Sequence, residues 1–217
     1  MKERIADLDA LPPAPDAGKH PGLWHVLGSA AWLRLPAAVR ARFTEDAPDA
    51  TYAGAFEVVS ASALGRFFAW LGALVGTPVV PRTGEHVEAR VEVRARRDGI
   101  EWRRHYRWGN RVDVVTSTKV VEDGRLIERL PACLNMPLDV REENGVLVFE
   151  SRGYYFEFRM GELFRLRLPL PAFFSPGQTR VEHVDLGNGW FRFTLIVTHP
   201  WFGQMFFQTG RFCATED

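Results

Sequence analysis

Between His86 and Arg97 the chain alternates strictly, with Val87, Ala89, Val91, Val93 and Ala95 on one phase and Glu88, Arg90, Glu92, Arg94 and Arg96 on the other. A period of two with one apolar and one charged face predicts a half-buried strand, and the charged run reads as its solvated face. Asp98-Gly99 predicts a hairpin turn into Ile100–Trp108, Gly109-Asn110 a turn into Val112–Val121, and Asp123-Gly124 the end of that strand. Residues 125–141 read as one or two irregular strands around Pro131 and Pro137, and Asn144-Gly145 as a further hairpin. Val146–Arg159 then reads as a long strand bent at Gly153, followed by strands over Leu163–Leu170, Thr179–Leu186, Trp190–His199 and Gln204–Cys213. With Thr51–Val59 near the start, this makes roughly eight to ten strands, all antiparallel.

The helical period is confined to the front of the chain. Leu23, Val26, Leu27, Trp32 and Leu33 recur at helical spacing, and Pro36 stands near the first turn of a second helix running to Phe43. Ser62 is placed to N-cap a third helix over residues 63–75, apolar on most faces and charged only at Arg66, which predicts that it is largely buried. A sheet with one apolar face must bury it by curling up or by wrapping a helix. The expected fold class is therefore α+β and mainly antiparallel β. A strongly curved sheet or open barrel wraps the apolar helix, and the N-terminal helices cap one end. The competing architecture is a closed, lipocalin-like barrel. Residues 1–21, with Pro12, Pro13, Pro15 and Pro21 among Ala and Asp, predict a flexible leader before a single domain over residues 22–217.

Composition narrows the function classes. Lys+Arg and Asp+Glu both number 27, so no net charge draws the chain toward nucleic acid or an anionic membrane. Cys133 and Cys213 stand alone, without C-x-x-C or a Cys/His cluster at metal-ligand spacing, which predicts a reduced cytoplasmic protein without a metal or other cofactor. The N-terminus lacks the apolar core of a secretory signal, and the most apolar stretch, Phe67 to Val80, is too short to span a bilayer. Aromatic residues make up 12% of the chain, including 16 Phe and 7 Trp, more than core filling needs, and point to an aromatic-lined cavity or interface.

Strand 100–108 places Ile100, Trp102, Arg104, Tyr106 and Trp108 on one face and Glu101, Arg103, His105 and Arg107 on the other. If the aromatic face is inward, Arg104 is a buried guanidinium that needs a carboxylate or an anionic ligand. Its alternative role is an ion pair with Glu150 or Glu157. The expected ligand-binding residues are Trp102, Arg104, Tyr106, Phe193 and Trp201. Acid/base candidates are His105, Glu150, Tyr155 and His199: Glu150 because desolvation among aromatics raises a carboxyl pKa, and His199 because it ends the apolar stripe Phe191, Phe193, Leu195, Val197. Counting from Gly187–Gly189 sets His183 opposite position 193, away from His199. Leu163–Phe174 reads as a lid or interface loop.

Five segments taken in order resemble a bacterial family, domain of unknown function 4166. They are Leu35–Phe43, Trp102-Arg103-Arg104-His105-Tyr106, Asp123–Arg129, Leu168-Pro169-Leu170-Pro171 and Phe191–Gly203. Tyr106 stands where that family usually has Phe. The resemblance implies a domain that occurs alone or behind a reductase- or epimerase-like domain, with no established activity. Three functions follow in order. The first is binding of an apolar or amphipathic small molecule in an aromatic cavity. The second is a cofactor-free isomerase, cyclase or hydrolase in the same cavity. The third is an accessory domain for a reductase-like protein partner. The chain is expected as a monomer or homodimer.

Overall fold

A computed structural model describes residues 22–44, 47, 49–73, 80–96, 99–160 and 164–215. The predicted leader lies outside the described residues. Three short helices, α1 (Leu23–Leu27), α2 (Ser29–Arg34) and α3 (Ala37–Phe43), precede β1 (Ala50–Ala61) and α4 (Ala63–Ala73). The strands β2 (Gly84–Arg96), β3 (Gly99–Trp108), β4 (Arg111–Glu122), β5 (Arg125–Arg129), β6 (Leu134–Glu143) and β7 (Val146–Ser151) follow. The chain continues through β8 (Tyr154–Met160), β9 (Phe164–Leu170), β10 (Gln178–Gly187), β11 (Trp190–His199) and β12 (Gly203–Ala214).

All strand pairings are antiparallel, and ten strands close into a barrel. Around it run β1, β2, β3, β4, β5, β6, β7, β10, β11 and β12, and pairing of β12 with β1 and of β5 with both β4 and β6 completes the ring. The closed architecture thus replaces the open barrel, because closure pairs every edge backbone group that an open sheet would leave exposed. Local turns supply much of this order. Asp123-Gly124, Asn144-Gly145 and Asn188-Gly189 hold both residues at φ between 51° and 82°, the left-handed pair that lets a two-residue hairpin match strand twist.

The predicted strand 146–159 divides at Arg152-Gly153, and the break resets its alternation. Phe149 and Ser151 face inward before it and Tyr154 and Phe156 after it, whereas unbroken alternation would have sent Tyr154 to the opposite face. Beyond the break the hairpin β8–β9 extends the sheet past the barrel wall, since β10 returns to pair with β7.

The helix expected at 63–75 forms as α4, with Ser62 Oγ accepting the Gly65 N–H at 3.0 Å. It is neither largely buried nor the filler of the barrel. Phe67 and Trp70 are 52% and 58% exposed, while Ala69 packs onto Leu195, Val197, Met205 and Phe206 at one end of the barrel. Side chains of the strands, among them Phe56, Tyr106, Phe149, Phe191 and Phe212, build the core expected of the helix. At the opposite end α1–α3 pack against β5, β6 and β10 and send Trp32, Val39 and Phe43 into the same core. None of the described helices is long and apolar enough to cross a membrane.

Two carboxylates hold the β8–β9 hairpin. Glu157 accepts from Nε of Arg159, Arg165 and Arg167 at 2.7, 2.6 and 2.7 Å, and Glu122 on β4 pairs with Arg129, Arg159, Arg165 and Arg167. Burial alone would raise the Glu157 carboxyl, but its three arginine hydrogen bonds outweigh burial and bring its pKa from 4.5 to about 2. A carboxyl depressed on folding adds stability that is complete above its unfolded pKa and is lost as pH falls through its folded one. Urea unfolding is therefore expected to lose about 2–3 kcal/mol from this group between pH 5 and pH 2. Glu157→Gln should flatten that part of the profile, and an unchanged acid profile in the variant would contradict the assignment.

Candidate functional site

The barrel encloses a cavity of about 590 Å³ at the α4 end. Its deep wall comes from inward positions of successive strands, among them Phe56, Val91, Trp102, Phe149, Phe193 and Phe212. The lining also includes the exposed Phe67, Phe173, Phe174 and Phe202, so the mouth lies between α4, the 3-10 turn Ala172–Phe174 and the β11–β12 turn.

One patch of the wall is charged. Period two on β3 aims Trp102, Arg104 and Tyr106 inward, the count across the Gly109-Asn110 turn sets Ser117 opposite Trp102, and Lys119 lies opposite Glu128 on β5. Arg104 donates to Ser117 Oγ at 2.7 Å and lies 3.5 Å from Glu128, whose carboxylate also meets Lys119 Nζ at 3.1 Å. The predicted partners of Arg104, Glu150 and Glu157, are thus replaced by Glu128. Both of those carboxylates face outward, Glu150 to Arg141 and Glu157 to its three arginines.

Burial alone would raise the Glu128 carboxyl, yet the Lys119 and Arg104 charges beside it hold it below its usual value. Burial lowers the Lys119 ammonium, and the Glu128 carboxylate only partly restores it. Arg104 Nε and Trp102 Nε1 are buried and make no hydrogen bond among the described residues.

Below this patch lies His183, fully enclosed by the rings of Phe43, Trp102, Phe149, Phe191 and Phe193. Burial first, then the positive charges of Arg42, Lys119 and Arg104, push its pKa well below 6.5, so it is a neutral imidazole at neutral pH. It pairs with Phe193, as the count from the β10–β11 turn predicts. Tyr154 and Thr179 share a hydrogen bond of 2.8 Å in the same wall, and burial raises the phenol to about 12.

Of the five predicted ligand contacts, Trp102, Arg104 and Phe193 line the cavity. Tyr106 points into the barrel but does not line the cavity: it stacks on Phe56 at 5.0 Å, with its hydroxyl 3.4 Å from Gln208. Trp201 is 64% exposed on the β11–β12 turn beside His199 and Phe173. The acid/base candidates do not converge. His105 is on the outer face of β3 near Glu92, Tyr155 lies under the Arg167 guanidinium, and His199 at the mouth stacks on Phe202 and meets the Ala172 carbonyl oxygen at 3.2 Å. Lys119, Glu128, Tyr154, Thr179 and His183 join the wall without having been predicted as site residues, and Ser117 holds Arg104. The phase of β4 and β5 relative to β3 is the signal that reaches Lys119 and Glu128.

The predicted interface stretch carries exposed apolar residues. Phe164, Leu166 and Leu168 on β9 and Phe173 and Phe174 after it all stand in solvent. No curated protein and no solved structure matches the chain. A family model does: the one described as domain of unknown function (DUF4166) covers residues 35–212, from the approach to α3 through nearly all of β12. It spans the whole barrel wall, the charged patch and the mouth, and the chain belongs to that family.

Proposed function

We propose that the protein binds an amphipathic small molecule inside the barrel, with α4 as the lid over the mouth and α1–α3 as the cap at the far end. The observation that carries this reading is the cavity of about 590 Å³, whose lining is aromatic and aliphatic except for one compact group of charges, the neutral His183 and the Tyr154–Thr179 hydroxyl pair. Its volume falls within the range of about 300–1,000 Å³ typical of small-molecule sites, and its few polar groups converge on one patch as such sites require. The neutral His183 and the scattered His105, Glu150, Tyr155 and His199 form no acid/base pair around that volume, which favours binding over catalysis.

Native mass spectrometry of the protein as purified, followed by denaturing extraction, tests the reading. A stoichiometric apolar or amphipathic molecule is expected, and Val181→Trp, which fills part of the cavity, should abolish its retention while circular dichroism stays unchanged. Retention by that variant, or failure of the wild type to retain any member of a panel of added amphiphiles, overturns the reading. The exposed ring of Phe67, Trp70, Phe173, Phe174, Trp201 and Phe202 would then favour a protein partner of the reductase or epimerase type over the mouth.

A further inference from the structure

The charged patch on the cavity wall is not balanced. Two cations, Arg104 and Lys119, face one carboxylate, Glu128; Arg104 and Glu128 are buried and Lys119 is nearly so. Donors are in excess as well. A guanidinium has five N–H groups and an ammonium three. Arg104 gives one to Ser117 and has the Tyr106 hydroxyl near it, but its Nε has no acceptor among the described residues, and Trp102 Nε1 has none there either. The other polar residues of the lining offer no relief: Tyr154 and Thr179 bond to each other, and no hydrogen bond joins His183 to these donors among the described residues. A buried charge or N–H without a partner costs free energy that a bound acceptor of opposite charge recovers.

The chemistry of the missing complement follows from these counts. A cationic head is repelled by the excess charge, an alcohol accepts a hydrogen bond but leaves the charge uncompensated, and a dianion overshoots it. A planar monoanion with two acceptor oxygens suits a guanidinium fork with an ammonium beside it. Apart from His183 and the Tyr154–Thr179 pair the rest of the lining is apolar, and at the α4 mouth it is aromatic and aliphatic, which sets the direction of the tail. Resting on the reading that the barrel holds an amphipathic molecule, we infer that this molecule is a long-chain carboxylate whose head lies against Arg104 and Lys119 and whose tail points to the mouth.

Binding of hexadecanoate and of hexadecan-1-ol, which share a chain and differ in the head, tests this by titration calorimetry on wild type, Arg104→Met and Lys119→Met. Each variant leaves Glu128 paired with the remaining cation, so the charges of the wall balance. Wild type is expected to bind hexadecanoate at least about tenfold more tightly than the alcohol, and each variant to lose about tenfold or more for the acid alone. Equal affinity of wild type for acid and alcohol, or an undiminished preference for the acid in both variants, overturns the inference while leaving cavity binding intact. Binding of neither compound by wild type overturns the inference, and retention of any other member of the amphiphile panel then leaves the reading beneath it standing. Should a variant fail to fold, the wild-type comparison decides alone.

Discussion

Glu128→Gln is expected to destabilise the fold by about 3–5 kcal/mol in urea unfolding at pH 7, the cost of removing one partner from a buried charge group. Glutamine keeps the shape and much of the hydrogen-bonding capacity of the side chain, so the loss isolates the charge. Without the carboxylate, Arg104 and Lys119 face each other inside an apolar barrel with only the neutral hydroxyls of Ser117 and Tyr106 near the guanidinium. The Lys119 ammonium, already lowered by burial, loses the carboxylate that raises it, and deprotonation caps the penalty. A second variant separates charge from packing. Arg104→Met, Lys119→Met and Glu128→Leu together remove all three charges, and a buried ionic group exchanged for apolar residues of similar size is neutral or stabilising. The triple variant is expected to regain wild-type stability or exceed it and to lose the preference for a carboxylate. A stable Glu128→Gln protein would mean that water reaches the patch and that its charges are solvated.

That cluster is largely within reach of the sequence. The Gly109-Asn110 turn pairs Trp108 with Arg111, and counting away from the turn along both strands brings Trp102 opposite Ser117 and Ile100 opposite Lys119. The Asp123-Gly124 turn pairs Glu122 with Arg125 and brings Lys119 opposite Glu128. Hairpin arithmetic therefore assembles the patch once the inward phase of β3 is known, and the company of Trp102 and Tyr106 indicates that phase. Arithmetic fails where the chain departs from hairpins. At Arg152-Gly153 the alternation resets, so Tyr154 and Phe156 share the inward face of Phe149, opposite to where an unbroken period of two would put them. Closure of the barrel through β5 and β6 turns on Ala132 and Cys133, both at positive φ (55° and 63°), a conformation that neither residue type announces. Pairing of β10 with β7 across the intervening β8–β9 hairpin is a nonlocal choice that local pattern cannot encode. The sequence of α4 announces a helix but not its exposure, because an apolar helix at the mouth of a cavity carries the same signal as one in a core.

The second large effect concerns how the wall closes between β1 and β12. Gly54 and Gly210, the latter paired with Phe56, lie on one side of a register shift between Phe56 and Val58, and a Cβ on either would strike backbone. At Gly54 it would lie 2.0 Å from the Arg211 carbonyl oxygen, and at Gly210 it would lie 2.5 Å from the Ala55 carbonyl oxygen and 2.7 Å from Phe56 Cα. No rotamer relieves a collision with main chain, so the strands must part or slide. Phe56 and Phe212, which meet edge to face at 5.1 Å and both line the cavity, would move with them. Either Gly→Ala substitution is expected to cost about 3 kcal/mol, the upper end of the overpacking range. For a chain of this size that is a fall of about 6–12 °C in Tm by differential scanning calorimetry. Gly124 provides the comparison: it sits at φ 72° with nothing within 4 Å of the place a Cβ would take, and Asn tolerates that conformation, so Gly124→Asn should stay within about 1 kcal/mol of wild type. The cost at Gly54 and Gly210 then reports close approach of two strands and not the loss of glycine as such. Similar Tm values for all three variants would show that β1 and β12 have slack, and the aromatic wall they carry would be a soft surface instead of a fixed one.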